Sequence, residues 1–132
     1  MAEKKGERIL DVKNLRKYFP IKKGFLRKTV GYVKAVDDLS LYIDEGETLG
    51  LVGESGCGKT TAGRSILRAI EPTSGEIMFR DLRDGWVNVR ELDSAELNRV
   101  RQQMQIIFQD PYSSLNPRMT LLELVGEPLV IN

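Results

Sequence analysis

Apolar and polar residues alternate with a period of two in several stretches, which is the pattern of strands with one buried face. Leu10 and Val12 lie on one face of a strand predicted over residues 8–18. Residues 39–44 (LSLYID) alternate strictly and predict a second strand. Residues 20–34, between these two strands, are rich in Lys, Arg and Gly and predict a loop or an irregular hairpin. The chain therefore begins with β-structure.

Two short apolar runs lack this alternation: Thr48–Val52 and Gln105–Phe108. A parallel strand that is covered on both faces has such a continuous apolar pattern. We therefore expect both runs to be central strands of a sheet. Two further strands are predicted over residues 76–80 and 86–89, with Asp84-Gly85 in the turn between them.

Three helices are predicted from apolar periodicity and from end signals. Residues 59–70 carry apolar side chains every four residues and precede Pro72, which cannot continue a helix. Asp93 and Glu96 have the spacing of a capping box at the start of a second helix. Thr120 would cap a third helix that begins near Leu121. The buried stripe of the second helix would contain Leu97, Val100 and Met104.

Composition limits the classes of function. The 132 residues are 41% hydrophobic and 30% charged, as in a soluble globular protein, and the net charge of +1 favours neither nucleic acid nor an anionic lipid surface. The single cysteine excludes an internal disulfide, and the absence of histidine excludes histidine catalysis within these residues. No apolar run approaches the roughly 20 residues that cross a bilayer. We expect a cytoplasmic protein.

The strongest chemical signal is a glycine-rich loop between the run 48–52 and the first helix. Gly53-x4-Gly58-Lys59-Thr60 matches the P-loop pattern at every fixed position. Glycines let the backbone wrap a triphosphate closely, and the helix that follows directs its positive end at the phosphates. Lys59 would reach the β- and γ-phosphates, and the hydroxyl of Thr60 would ligate Mg²⁺. The predicted nucleotide-binding residues of this loop are Gly53, Glu54, Ser55, Gly56, Cys57, Gly58, Lys59, Thr60 and Thr61.

Other interpretations of this loop fit less well. A dinucleotide-binding fingerprint or a protein-kinase glycine loop would require glycine at position 61, where the chain has Thr61. Cys57 sits near a helix N-terminus, which can activate a thiol, but the chain offers no histidine partner for it.

Three separated segments resemble the ATPase subunits of ABC transporters: Leu15–Phe19, Val52–Thr61 and Ile106–Met119 (IIFQDPYSSLNPRM). The third segment is the most specific and resembles oligopeptide and dipeptide importers, in particular the second of their two ATPase subunits. The resemblance extends from about residue 8 to residue 132. It implies an α/β fold: a P-loop NTPase core, with a parallel sheet and flanking helices, together with the antiparallel β-subdomain of an ABC ATPase, here incomplete.

The resemblance also assigns roles. Tyr18 matches the aromatic residue that stacks on adenine, a contact that is tolerant of the base. Gln109 matches the glutamine that approaches Mg²⁺ and the attacking water, so Gln109 and Lys59 are the expected catalytic residues, and Thr60 and Gln109 the expected metal ligands. The implied cofactors are ATP and Mg²⁺.

The family's LSGGQ signature, Walker B strand and switch histidine do not occur in the sequence. We therefore expect residues 1–8 to be a tail and residues 9–132 to be the N-terminal part of a longer nucleotide-binding domain. Hydrolysis needs a metal held from two sides and a positioned water, so we expect the full subunit to hydrolyse ATP and this chain alone to be inactive.

The partners implied by the resemblance are a second ATPase subunit, the transmembrane permease subunits and, indirectly, an extracytoplasmic peptide-binding protein, with no nucleic acid. The protein would then lie on the inner face of the cell membrane through its permease partners. Two alternatives remain at this point: a soluble P-loop NTPase or kinase of another class, and a fragment that binds nucleotide without catalysis.

The P-loop assignment predicts that Lys59→Ala lowers the affinity for ATP, because the substitution removes the side-chain charge directed at the β- and γ-phosphates. Isothermal titration calorimetry of ATP against the unsubstituted chain and the variant measures the difference. Equal affinities would contradict the assignment.

Overall fold

The computed structural model describes residues 6–25, 27–107 and 116–131, without the side chains of residues 128–131. The described elements are two strands, a short helix, two further strands and two helices. In order they are β1 (Arg8–Lys23), β2 (Lys28–Asp44), α1 (Lys59–Ile66), β3 (Ser74–Asp81), β4 (Gly85–Asn88), α2 (Ser94–Arg101) and α3 (Leu121–Ile131).

The strands form one four-stranded antiparallel sheet in the order β2-β1-β3-β4. β1 and β2 make a long hairpin, so the predicted loop or irregular hairpin at residues 20–34 is a hairpin, and its strands extend to Lys23 and from Lys28. Several register shifts interrupt the β1–β2 pairing. In the resulting register Tyr18 lies opposite Lys34, which determines the neighbours of the predicted adenine-stacking residue.

The apolar core lies between the sheet and the helices. Its most deeply buried side chains come from β1, β3 and α2 and from the residue after β4, and each is at most 1% exposed: Val12, Leu15, Ile77, Val89 and Val100. Of the stripe predicted for α2, Leu97 and Val100 are buried and Met104 packs against the core. The period-two and helical patterns therefore identified the buried faces correctly.

Arginine side chains form hydrogen bonds between the turn that follows α1 and the residues of α2 and just before it. Arg68 donates to the carbonyl oxygens of Val89 and Leu92 at 3.2 and 2.7 Å. Arg101 donates in turn to the carbonyl oxygen of Arg68 at 2.8 Å. The bond from Arg101 satisfies a main-chain acceptor just beyond α1, and the three bonds together fix this end of α1 relative to the core.

Both helix-start predictions that rest on capping are confirmed. Asp93 accepts from the backbone of Ala95 and Glu96 at 2.8 Å, and the Glu96 carboxylate accepts from the Asp93 N–H at 3.0 Å. At the start of α3, the Thr120 hydroxyl accepts from the Glu123 N–H at 3.3 Å, and the Glu123 carboxylate accepts from the Thr120 N–H at 2.8 Å. Its carboxylate is exposed, and the bonds from Thr120 lower the pKa of Glu123 below its ordinary value.

The first helix ends earlier than predicted. It stops at Ile66 rather than at residue 70, and the chain turns at Arg68, whose φ is +52°. The N–H groups of Ala69 and Ile70 both bond to the carbonyl of Arg64, which closes the turn. A left-handed residue cannot continue a right-handed helix, so the apolar repeat extends beyond the helix itself.

The two predicted central strands are wrong for the residues described. Neither Thr48–Val52 nor residues 105–107 form a strand, and Val52 and Ile107 are 93% and 95% exposed. Phe108 lies outside the described residues. A strand requires a neighbour to accept its backbone hydrogen bonds, and no described strand pairs with either run. The sheet that is present within the described ranges is the antiparallel one.

None of the helices within the described ranges is long and apolar enough to cross a bilayer.

The burial pattern predicts the cost of truncating the core. Leu15→Ala removes a fully buried side chain beneath the β1–β2 hairpin, and we expect a loss of about 2–5 kcal/mol in the free energy of unfolding. Leu82→Ala, at a side chain that is 88% exposed, should change it by less than about 0.5 kcal/mol. Urea unfolding followed by circular dichroism compares the two. Similar midpoints for both variants would refute the described core.

Candidate functional site

The glycine-rich loop leads directly into α1, and its conformation depends on glycine. Gly56 and Gly58 have φ values of +80° and +97°, in the left-handed region that side chains disfavour. A Cβ atom on Gly58 would collide with the carbonyl oxygen of Ala35 in β2. Glycine at position 58 thus allows the loop to lie against this strand.

The N-terminus of α1 faces the loop without a side-chain cap. Gly58 is the N-cap residue and has no side chain that could accept a hydrogen bond, and the first turn contains no acidic residue. The first N–H groups of a helix have no partner within the helix, and the helix dipole gives them partial positive charge. This end of α1 therefore suits an anion.

Lys59 directs its ammonium group back into the loop. Nζ donates to the carbonyl oxygens of Gly53 and Glu54, each at 2.6 Å, and lies 3.6 Å from the sulfur of Cys57. A Cβ atom on Gly53 would lie 2.6 Å from that sulfur, so this glycine also makes room for the closed loop. The arrangement holds a positive charge at the centre of the backbone cradle.

A cavity of about 430 Å³ lies between the loop and β2. Its volume is in the range of small-molecule sites, and its walls combine backbone amides, hydroxyl groups and two ammonium groups. The lining residues are Val33, Lys34 and Ala35 from β2, and Ser55, Gly56, Cys57, Gly58, Lys59, Thr60 and Thr61 from the loop and α1. The three predicted hydroxyl-bearing residues, Ser55, Thr60 and Thr61, are thus on the cavity wall.

Tyr18 lies on β1, opposite a residue of the cavity wall. Its phenol donates to the carboxylate of Asp37, and its ring lies 5.3 Å from Nζ of Lys34. Lys34 is paired with the same carboxylate at 3.1 Å. The hydrogen bond to Asp37 raises the pKa of Tyr18, and the bonds from Tyr18 and Lys34 lower the pKa of Asp37.

The structure therefore brings most of the predicted site together. Residues 55–61 form one side of the cavity, the carbonyl oxygens of Gly53 and Glu54 accept from Lys59, and Tyr18 contacts Lys34 on the other side. Gln109, predicted as a metal ligand and catalytic residue, lies outside the described residues, and its role stays a prediction. Lys34 and Asp37 were not predicted, because only the register of the hairpin places them beside Tyr18.

Comparison with known proteins identifies the family. The family model described as ABC transporter matches residues 36–127, which is more than half of the chain. The chain therefore belongs to the ABC transporter family.

Individual relatives are peptide-transport proteins by name. The chain is 46% identical over 129 residues to the oligopeptide transport ATP-binding protein AppF of Bacillus subtilis (strain 168), covering 97% of this chain and 38% of AppF. It is 49% identical over 127 residues to OppF of the same organism, covering 96% and 38%. It is 43% identical over 129 residues to the dipeptide transport ATP-binding protein DppF of Haemophilus influenzae, covering 98% and 38%. The chain thus spans less than half the length of each relative.

Solved structures confirm the fold class. A dimeric structure of MJ0796, a bacterial ABC transporter cassette, superposes with a TM-score of 0.70 at 28% identity, covering 93% of this chain and 47% of that chain. A second structure of MJ0796, a post-hydrolysis state bound to ADP and Pi, matches with the same TM-score at 30% identity and the same coverage. The antiparallel sheet and helices described above are thus part of an ABC ATPase fold.

The contact between Gly58 and Ala35 predicts a loss of ATP binding in Gly58→Ala. A left-handed conformation costs a non-glycine residue about 1–2 kcal/mol, and the collision with β2 adds to this. We expect ATP to bind about tenfold more weakly or worse, as measured by calorimetry.

Gly63→Ala is the matched control, because a Cβ atom at position 63 of α1 meets nothing within 4 Å. Alanine should stabilise this helix by up to about 1 kcal/mol and leave ATP affinity unchanged. Equal affinities of the two variants would show that the geometry of the loop does not control binding.

Proposed function

We propose that this chain is the ATP-binding part of an ATP-binding subunit in an ABC importer of oligopeptides or dipeptides. The observation that carries the proposal is the loop itself. The loop backbone lies against β2 at Gly58. The Lys59 ammonium group donates to two carbonyl oxygens of the loop, beside the uncapped N-terminus of α1. Family membership supports the ABC class over a soluble GTPase or small-molecule kinase.

The phosphate end of the nucleotide would occupy the loop side of the cavity. Backbone N–H groups of residues 53–61, which include the N-terminus of α1, would donate to phosphate oxygens. Lys59 would exchange its bonds with the Gly53 and Glu54 carbonyls for bonds to the β- and γ-phosphates. The hydroxyl of Thr60, which lines the cavity, would be a ligand of Mg²⁺. The bound ion would neutralise phosphate charge during the reaction.

The nucleoside end would lie towards the hairpin. Tyr18 offers an aromatic face for the base. Its ring is near the cavity, because Lys34 both contacts the ring and lines the cavity wall. Stacking holds any purine without reading its hydrogen-bonding groups, so the selectivity of this contact for adenine over guanine is low. ATP is the proposed ligand, since the relatives AppF, OppF and DppF are named ATP-binding proteins.

Hydrolysis belongs to the complete subunit. This chain supplies Lys59 and Thr60 and, by resemblance, Gln109, all of which act on the phosphates, the metal or the water. Phosphoryl transfer depends on several such groups positioned together, so a subset gives binding with little rate enhancement. We propose residues 9–132 as the N-terminal part of the nucleotide-binding domain and residues 1–8 as its tail.

Peptide import is proposed from the pattern of similarity. Identity to the named peptide-transport proteins is 43–49% over nearly the whole chain, against 28–30% to the MJ0796 cassette. The dimeric form of that cassette supports a second ATPase subunit as partner. Permease subunits would hold the protein at the inner face of the membrane, and a peptide-binding protein would deliver the substrate to them from outside.

The proposal predicts that Lys59→Ala in the full-length subunit abolishes uptake of a radiolabelled oligopeptide by cells that depend on this importer. Without the ammonium group the phosphates are not held, so no energy is coupled to transport. Uptake is measured as intracellular label over time, with subunit abundance checked by immunoblot.

Lys22→Ala is the control, because it removes the same charge from an exposed residue of β1 that does not line the cavity. It should leave uptake unchanged. Normal uptake by Lys59→Ala at normal abundance would reject the transport proposal.

A further inference from the structure

We propose that Asp37 is a positioning residue for the nucleoside end of the site, and that its carboxylate holds Tyr18 and Lys34 in one arrangement beside the cavity. The inference rests on the proposed function, because it assumes that a nucleoside triphosphate binds there. It assigns a role to a β2 residue that neither lines the cavity nor belongs to the glycine-rich loop.

The first support is the geometry of the carboxylate. One oxygen of Asp37 accepts from the Tyr18 phenol and the other lies 3.1 Å from Nζ of Lys34. Arg16 approaches the first oxygen at 3.8 Å and increases the local positive charge. Two side chains of different strands are therefore joined through one acidic group.

The second support is the way Tyr18 is held at its other end. Its backbone N–H donates to the hydroxyl of Thr73 at 2.9 Å. Thr73 immediately precedes β3, so this bond lies on the edge of β1 opposite the one that pairs with β2. With the backbone fixed by Thr73 and the phenol fixed by Asp37, the ring has little freedom to rotate. A ring that is fixed before binding saves the entropy of ordering it.

The third support is the ionisation of the three groups. The hydrogen bond to Asp37 raises the pKa of Tyr18, and the same carboxylate raises the pKa of Lys34. The bonds from Tyr18 and Lys34 lower the pKa of Asp37. At neutral pH the phenol is therefore a donor, the ammonium is charged and the carboxylate is charged, which are the states that this network requires.

The network connects to the cavity through Lys34, which both lines it and lies over the Tyr18 ring. Without Asp37, the ammonium group would be free to leave the ring, and the ring would be free to turn. The phosphate end is held by other residues, in the loop and α1. Loss of Asp37 should therefore weaken the binding of the nucleoside without weakening the binding of the phosphates.

A role in stability alone predicts a different result. The ion pairs of Asp37 are exposed, with its own side chain 44% accessible and that of Lys34 60% accessible. Exposed pairs contribute little to stability. Substitution of Asp37 should hence leave the thermal midpoint nearly unchanged, which separates positioning from folding.

The test compares ATP with inorganic tripolyphosphate, which carries the phosphates and lacks the nucleoside. Calorimetry with Mg²⁺ gives both affinities for the unsubstituted chain, Tyr18→Phe, Asp37→Ala and the double variant. We expect Tyr18→Phe and Asp37→Ala each to weaken ATP binding about three- to tenfold, the worth of a lost hydrogen bond. Binding of tripolyphosphate should not weaken in any of the variants, because the loop and α1 are intact and loss of the Asp37 carboxylate removes a negative charge. The double variant should bind ATP no more weakly than Asp37→Ala, since both substitutions break the same bond.

Two further variants serve as controls. Asp37→Asn keeps an oxygen that can accept from the phenol and should recover part of the ATP affinity, which also supplies a result if Asp37→Ala does not fold. Asp38→Asn removes the neighbouring charge, which contacts Asn14 and Arg16 rather than Tyr18, and should behave like the unsubstituted chain.

Equal losses for ATP and tripolyphosphate, or additive effects of Tyr18→Phe and Asp37→Ala, would overturn the positioning role of Asp37 while leaving the phosphate site intact. If the unsubstituted chain bound neither ligand, the proposed function would fail, and this inference would fail with it.

Discussion

The close approach of Gly58 to the carbonyl of Ala35 determines the layout of the site. Because Gly58 has no Cβ atom, the glycine-rich loop can lie directly against β2, where a Cβ atom would collide with this carbonyl. β2 is also the strand that pairs with β1 opposite Tyr18. A single backbone contact therefore links the uncapped N-terminus of α1 with the aromatic residue of the hairpin. A side chain at this one position would push the loop and β2 apart, and these are the two walls of the cavity.

The sheet holds β2, and therefore the contact between Gly58 and Ala35, in place. β1 is paired on both edges, with β2 and with β3, and its residues Val12 and Leu15 are fully buried. The hydroxyl of Thr73, next to β3, fixes the backbone of Tyr18 from one side, while β2 fixes its phenol from the other. The site thus depends on a strand whose own position is set by the core. The arginine bonds beyond the C-terminal end of α1 have the same effect on the helix whose N-terminus is the proposed phosphate site.

Sequence alone predicted the features that local chemistry determines. The capping box of Asp93 and Glu96 and the glycine-rich loop before α1 depend on residues a few positions apart, and they are present as expected. The run Thr48–Val52 was expected to be a strand and is not one in the described residues, because an apolar run becomes a strand only beside a partner. The link between Tyr18 and Asp37 could not be predicted either, since a shift of one residue in the hairpin register would separate them.

The charged side chains around the cavity favour one orientation of the proposed nucleotide. Within the part of the chain that the structure describes, Lys59 contacts two backbone carbonyls and a thiol, and no carboxylate pairs with it. Lys34, on the opposite wall, is paired with Asp37. A polyphosphate gains most from a cation whose charge is not already neutralised by an acid, and it is repelled by a carboxylate. The phosphates are therefore favoured at Lys59, and Asp37 disfavours the reversed orientation. In the proposed complex, the same carboxylate that accepts from the Tyr18 phenol would thus keep the anionic end of the ligand away from the ring.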